Sequence, residues 1–435
     1  MRLNSKLKTQ NSKLQKLVPL LLDWFTANAR DLPWRRTRDP YAIWVSEIML
    51  QQTQVKTVIP YWNRWMRELP TIEAAAKASP DKIHKLWEGL GYYSRVRNLQ
   101  KAAQQIVKSG KQKAESGNSV YQFPEKFEDV LALPGIGRYT AGAICSIAFN
   151  QPAPILDGNV IRVLTRIFGI AENPKEKQTN ARLWKLAEEL VCRAALITYQ
   201  ASNSRTRTRT KDEDDCCSHL NQSLMELGAL VCTPRNPQCE ICPVKKMCIA
   251  FRENRIEELP NIGKRETATA RRFAAFVVER NGRFLVRQRS AGAVNAHLWE
   301  FPNVEVAAGI LPAVEPGVSP GGKNIRNFNP VNIPRHIPGG KMPPSTAGET
   351  PAATMLAHAA THLGLEIRNA KHLSTVKHSI TRYRITLEGY RVQLRKQPGS
   401  RVGIWKSPAQ MERLAFTAAH KKLASLAVNR ILSGQ

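Results

Sequence analysis

Four cysteines constrain this chain more than anything else in it: Cys232, Cys239, Cys242 and Cys248 fall in one stretch of 17 residues, spaced x6, x2 and x5. Thiolates that dense in sequence can surround a single metal centre, so the surrounding chain must fold to bring all four to one point. Structural zinc sites usually pair two close-spaced knuckles, and only one such pair exists here. Four unevenly spaced ligands on one continuous loop suit a four-iron four-sulfur (4Fe–4S) cluster better. Eight cysteines in 435 residues are too few for a disulfide scaffold and point to a reducing compartment. Arg235, Lys245 and Lys246 lie in the same loop and would set positive charge against a nucleic-acid backbone.

Charge points the same way. The chain carries 65 Lys and Arg against 35 Asp and Glu, a formal net charge of +30, which implies a polyanionic partner, with nucleic acid ahead of an acidic membrane. No stretch reaches the roughly 18 apolar residues that a membrane span needs. The basic N-terminus leads into the short apolar run Leu17–Leu22 and then Asp23-Trp24-Phe25, which reads as an amphipathic helix without a cleavage site. The chain is therefore expected to be soluble and intracellular, in the cytoplasm or nucleoid of a bacterium, with an organellar transit peptide as the open alternative.

A chain of 435 residues suits two or three domains. Residues 17–250 read as all-helical: apolar positions recur at helical spacing through Ala42–Leu50 and Leu183–Leu190, with Pro and Gly between the helices. The Arg/Thr run and acidic residues from Ala201 to Asp215 read as a solvated loop, with Cys216 and Cys217 as bystanders. Residues 251–270 read as a linker. From 271 to 435 the pattern is mixed α and β: Phe273–Val278 and Phe284–Gln288 look like strands joined by Asn281-Gly282, a two-residue hairpin signal, and strand character returns from Tyr383 to Val392. An insertion over 309–351 holds nine Pro and seven Gly, a composition that buries no core and reads as disordered.

Three further features bear on chemistry. Leu133–Ala141 reads as a helix end, a Pro-Gly-Ile-Gly turn and a new helix starting near Arg138. The Gly135 and Gly137 amides at such a helix N-terminus can hold a phosphate without reading sequence, although a bare Gly-x-Gly is more often just a tight connection. Asp157, before Gly158 and Asn159, looks by itself like an N-cap. Glu47, in the apolar stretch Ala42–Leu50, is either on a polar face or buried with a raised pKa, and periodicity does not choose between them.

Taken in order, the cysteine pattern, Leu133–Ala143 and Leu156–Leu164 resemble the helix–hairpin–helix DNA glycosylase superfamily that includes endonuclease III. Leu32–Arg35, Trp44–Thr53, Gly89–Tyr93 and Glu226–Ala229 narrow the resemblance to its adenine DNA glycosylase branch, closely over 17–300 and loosely over 370–435. The fold this implies is an all-α helix–hairpin–helix domain with an iron–sulfur loop, followed by an α+β Nudix-like domain. The activity it implies is excision of adenine opposite 8-oxoguanine or guanine, by a monomer acting on double-stranded DNA with the mispaired nucleotide flipped out. Glu47 then protonates the base and Asp157 stabilises the sugar cation, as in two-carboxylate glycoside hydrolysis, while Tyr139 and Asn159 orient them. Trp34, Arg35 and Glu226 belong to the pocket, Gln52, Leu90 and Tyr92 to the contact with the orphaned purine, and Gly135, Gly137 and Arg138 to the DNA backbone. In the related lyases a Lys stands at the position of Tyr139, and a phenol cannot form a Schiff base. That argues for a monofunctional enzyme rather than a lyase acting on oxidised pyrimidines, and the presence of both carboxylates argues against a silent DNA-binding protein. Ala357–Gly364 carries none of the acidic residues of a Nudix hydrolase, so the second domain is expected to read the oxidised guanine instead. Its recognition loop departs from the family's Phe-Ser-His: here Ile380-Thr381-Arg382 follow His378-Ser379, and Thr381 and Arg382 are the candidate readers.

Overall fold

A computed structural model describes residues 2–113, 121–203, 215–263, 267–306, 356, 360–380 and 382–432. The expected disordered insertion, most of the Arg/Thr-rich loop, and Thr381 lie outside them. The helices are α1 (Arg2–Asn28), α2 (Pro40–Leu50), α3 (Val55–Glu68), α4 (Ile72–Lys77), α5 (Pro80–Trp87), α6 (Ser94–Lys113), α7 (Phe127–Leu131), α8 (Arg138–Phe149), α9 (Gly158–Phe168), α10 (Lys177–Asn203), α11 (Cys216–Leu230) and α12 (Ile249–Arg252). Seven strands follow: β1 (Thr269–Arg280), β2 (Arg283–Gln288), β3 (Trp299–Glu300), β4 (Asn303–Val306), β5 (Ile367–Ile380), β6 (Tyr383–Leu394) and β7 (Ile404–Lys406). Helices α13 (Pro408–Glu412) and α14 (Ala418–Leu432) end the chain. Two compact units result, one of residues 1–79 and 94–265, the other of residues 80–93 and 266–435. Helix α5 and the turn after it thus pack with the second unit.

The first unit is all-helical; no described residue before Thr269 is in a strand. Its core joins α1, α8, α9, α10 and α11 through Leu17, Leu21, Ala143, Val163, Leu164, Leu183, Leu190, Leu220 and Leu224, and each buried Leu or Val contributes about 1.5–3 kcal/mol. Cys216 and Cys217 belong to this core as well. Helix α2 settles the question left open at Glu47. Asp39 caps its start, accepting from the Tyr41 amide at 3.0 Å, and every residue from Tyr41 to Met49 is buried. A helix buried all round has no polar face to offer, so Glu47 is interior.

The second unit is a mixed sheet of order β3-β2-β1-β6-β5, with β4 beside β1 and β7 beside β2. β1 runs parallel to β6 and antiparallel to β2 and β4. The β1–β2 turn is the expected one: Asn281 and Gly282 both have positive φ, 50° and 69°, the pairing of a type I′ hairpin. Phe273–Val278 is continuously apolar because both sheet faces are covered. Ala275 and Val277 share one core cluster with Leu423 of α14, while Ala274, Phe276 and Val278 share the opposite cluster with Leu365 and Val392. The long strand β5 had no signal in the sequence. Its alternation is reset by irregularities at Ile367/Asn369 and His372/Ser374, and charged or polar residues interrupt it. As a result, His378–Ile380 is not loop but the end of β5, with Ile380 paired to Tyr383.

Candidate active site

A cavity of about 550 Å³ opens in the first unit between the ends of α2, α8, α9 and α11. Four backbone features place its chemistry. α2 delivers Glu47 from the interior, and the first turn of α8 delivers Tyr139. Asp157 caps α9, accepting from the Val160 amide at 2.7 Å, so it is both the N-cap that the local sequence suggested and a wall of the cavity. Gly228 lets α11 close on this corner, since a Cβ there would lie 2.7 Å from Asn159 Cβ.

The Tyr139 hydroxyl donates to Glu47 Oε2 at 2.8 Å. Burial is the main reason that the Glu47 carboxyl is pushed up to about 7; the tyrosine bond opposes the shift and the nearby Asp157 charge adds to it. Burial, then the charges of Glu47 and Asp157, hold the Tyr139 phenol well above its usual range. Asp157 is also raised by burial, against bonds from the Val160 amide and Asn159 that favour its anion. Asn159 Nδ2 donates to Asp157 Oδ2 at 3.1 Å. Two carboxyls therefore share one cavity in unlike environments, one facing a phenol and one an array of N–H donors.

Trp34, Arg35, Gln52 and Glu226 line the same cavity. Gln52 follows α2 with φ 56°, a conformation that costs a non-glycine residue energy and is held by its surroundings. Glu226 is clamped by two guanidiniums: Arg35 donates to both carboxylate oxygens at 3.1 and 3.0 Å, and Arg30 to both at 2.7 Å. Burial would raise the Glu226 pKa, but these bonds outweigh it and hold the carboxyl down at about 2. The cavity so carries a fixed negative group whose charge is already matched.

Sequence reasoning missed Arg30, Met225 and Arg162. Arg162 reaches Asn159 Oδ1 at 2.8 Å, the Gly228 carbonyl at 2.8 Å and the Cys232 carbonyl at 2.7 Å, tying the α9 corner to the cysteine loop. Its spacing of three from Asn159, one helical turn on, was the available signal. Met225 offers its sulfur to the Tyr139 hydroxyl at 3.2 Å. Arg30 had no signal of its own.

Gly135, Gly137 and Arg138 lie exposed on the hairpin between α7 and α8. Gly135 has φ 78°, and a Cβ there would meet Asn98 Cβ at 2.5 Å, so the turn admits only glycine. No side chain caps α8 at Gly137, which leaves a helix N-terminus facing outward. The Arg138 guanidinium stacks 4.0 Å from the Trp184 ring centroid. Leu90 is buried and Tyr92 exposed, both in the segment that packs with the second unit. Arg382 donates to the Tyr383 hydroxyl at 3.1 Å at the start of β6.

The four cysteines of the loop line one apolar cavity with Val163, Ile167, Leu227 and Phe251. Arg166 donates to Cys232 Sγ at 3.4 Å. Burial, with the charges of the other cysteines behind it, pushes Cys242 up to about 12. Four thiolates there need a positively charged core among them, and the donor set fits an iron–sulfur cluster.

The model described as "HhH-GPD superfamily base excision DNA repair protein" matches residues 45–189, and that of the iron–sulfur binding domain of endonuclease III matches residues 232–248. Three adenine DNA glycosylases show the similarity to characterised proteins. That of Rattus norvegicus is 43% identical over 251 residues, 55% of this chain and 43% of that one. That of Arabidopsis thaliana is 38% identical over 333 residues, 67% and 48%. That of Buchnera aphidicola (subspecies Schizaphis graminum) is 36% identical over 287 residues, 66% and 74%. The chain spans about half the length of the plant and mammalian relatives it matches. The solved structure of a thermostable thymine-DNA glycosylase is similar over 56% of this chain and 98% of that one, at 28% identity and a TM-score of 0.44. The cysteine loop holds a 4Fe–4S cluster. Purified protein is expected to be yellow-brown, with about four irons per chain; stoichiometric zinc without visible absorption would contradict this.

Proposed function

Given that this chain belongs to the adenine DNA glycosylase family, we propose that it is a monofunctional glycosylase that flips out adenine opposite 8-oxoguanine or guanine and hydrolyses its N-glycosidic bond. The observation that carries the reading is the buried Glu47, with a pKa of about 7, in one cavity with Asp157. A carboxylic acid titrating near neutrality can protonate the leaving base and afterwards accept a proton from water. Asp157, held by N–H donors, faces the sugar as the anion that stabilises an oxocarbenium-like centre. Tyr139 holds the Glu47 carboxyl in place, and Asn159 does the same for Asp157. Trp34, Arg35 and Glu226 shape the cavity that takes the flipped base.

Double-stranded DNA is the proposed partner, held without sequence reading at the Gly135–Gly137 hairpin, with Arg138 beside it, and at the basic cysteine loop. The cluster in that loop, when bound, is a structural cross-link, and no step of base removal needs it. Gln52, Leu90 and Tyr92 are proposed to contact the purine left behind. Thr381 and Arg382, which lie in sequence between β5 and β6, are proposed to tell 8-oxoguanine from guanine. No described helix is long and apolar enough to cross a membrane.

The test is one incubation with a duplex carrying adenine opposite 8-oxoguanine, with and without alkali. Strand breaks that require alkali are expected, because no amine stands where Tyr139 does; breaks without alkali would indicate a lyase. Borohydride is expected to trap no adduct with wild type and some with Tyr139→Lys, which places an amine beside Glu47 and Asp157. Efficient wild-type trapping would show another amine at work and end the monofunctional reading.

A further inference from the structure

Residues 80–93 leave the helical unit after Ser79, return to it at Ser94, and pack with the second unit in between. Glu88, just after α5, is buried and meets the rest of the second unit at several points. Its Oε1 accepts from the Phe416 amide at 2.9 Å, and its Oε2 accepts from Lys421 Nζ at 2.6 Å and Lys85 Nζ at 3.0 Å. Lys85 also donates to the Leu414 carbonyl at 3.0 Å. The His84 ring stacks on His297, with centroids 6.2 Å apart and planes 11° apart. Phe416, whose amide Glu88 receives, is itself buried in the core under α14. The carboxylate is thus matched by two cations and a backbone donor, the condition under which a buried charge persists.

Immediately after Glu88 the backbone makes a turn through sparsely populated conformations. Gly89, Gly91 and Tyr92 all have positive φ, 111°, 72° and 48°, and Tyr92 is no glycine. The turn is closed from within by Leu90 N to Trp87 O at 3.1 Å, Trp87 Nε1 to Gly91 O at 3.1 Å and Gly89 N to Tyr93 Oη at 3.3 Å. Leu90 and Tyr93 face inward, while Tyr92 stands out, 41% exposed. An exposed aromatic on an over-determined turn is a stiff wedge, and stiffness is what lets a wedge offset the cost of unstacking bases.

We propose that Glu88 is a positioning residue that locks the Gly89–Tyr93 turn to the second unit, so that the grip on the orphaned purine depends on that unit through Glu88 as well as through any base contact it makes. This rests on the reading of Leu90 and Tyr92 as the contact with that purine. Loss of the Glu88 carboxylate loosens the turn, and the loss falls on recognition of the mispair rather than on the limiting rate of bond cleavage.

The experiment compares wild type, Glu88→Ala and Glu88→Gln. It measures affinity for a duplex with adenine opposite 8-oxoguanine and for a fully paired duplex, single-turnover excision at saturating enzyme, and fluorescence of 2-aminopurine placed beside the 8-oxoguanine. Glu88→Ala is expected to lower the preference for the mispair about tenfold, the weight of one charge-assisted bond, and to quench the unstacking signal. Glu88→Gln keeps one acceptor, for the Phe416 amide, but turns an N–H donor toward Lys421 and Lys85, so it is expected to recover only part of both. If Glu88→Ala does not fold, Lys421→Ala reads the same quantity from a half-exposed partner, and an intermediate fall in preference is the supporting result. A folded variant with lower thermal stability but unaltered preference and fluorescence would overturn the proposal, and so would unaltered preference in Lys421→Ala. A wild type that neither prefers nor excises the mispair would instead defeat the glycosylase reading, and this inference with it.

Discussion

Glu47→Gln is expected to reduce single-turnover adenine excision by about 10²–10⁴-fold, the usual weight of a general acid, while leaving DNA affinity within a few fold. Glutamine keeps the volume and an oxygen for the Tyr139 hydroxyl, so the cavity survives, but it has no proton to give. pH supplies an independent check. With a folded pKa of about 7, Glu47 carries its proton below neutrality and loses it above, so wild-type excision should fall as pH rises past about 7. The same shift bears on stability. The folded pKa is raised above the ordinary 4.5, so its stabilising contribution is fully present below about 4.5 and is lost as pH rises through about 7. That contribution amounts to about 3 kcal/mol by proton linkage. Glu47→Gln lacks this dependence and should melt above wild type at pH 8–9 while remaining inactive. Near-wild-type excision by the variant, or a wild-type rate that stays level through neutrality, would remove Glu47 from its role.

Glu226→Ala should give the largest loss of stability of any single change in the cavity. Glu226 is 1% exposed, and Arg35, 15% exposed, and Arg30 depend on it for neutralisation. Removing one partner of such a group leaves charge buried without compensation, a cost of about 3–5 kcal/mol. Part of the Arg30 share is recovered by its solvent contact. For a unit of this size a destabilisation that large corresponds to a fall in melting temperature of roughly 6–20 °C. The pH window is opposite to that of Glu47. With its folded pKa depressed to about 2 from 4.5, Glu226 contributes stability that is present above about 4.5 and lost as pH falls through about 2. Scanning calorimetry between pH 2 and 8 checks both statements; a shift of under about 2 °C would mean the two arginines find water or new partners without it.

Much of the site is legible in the sequence because its residues sit in local patterns that physics restricts. The cysteine spacing demands a shared centre. Gly135 has to be glycine, since the turn takes φ 78° with Asn98 against it. Asp157 announces itself as an N-cap, which it is, and Asn281-Gly282 as a hairpin. The unreadable parts depend on partners distant in sequence. Arg30 and Arg35 meet Glu226 across separations of 196 and 191 residues, and no local pattern encodes that. β5 is hidden because its bulges break the alternation by which a strand is recognised.

The sequence alone determined the identity of the chemical groups and the secondary-structure grammar around them: the cysteine loop, the glycine hairpin, the two carboxyl-bearing segments, and a helical part followed by a mixed one. Only the tertiary structure decided what those groups are at neutral pH and what they touch. Glu47 titrates near 7 because α2 is enclosed on every side, a property of its neighbours and not of its own periodicity. Glu226 stays ionised in a similar interior because two arginines converge on it. The segment 80–93, continuous in sequence with the helical part, packs with the second unit because Glu88, Lys85 and His84 find their partners there. Burial and long-range pairing set the free energy of a charge, and neither can be computed from a residue's immediate neighbours in the chain.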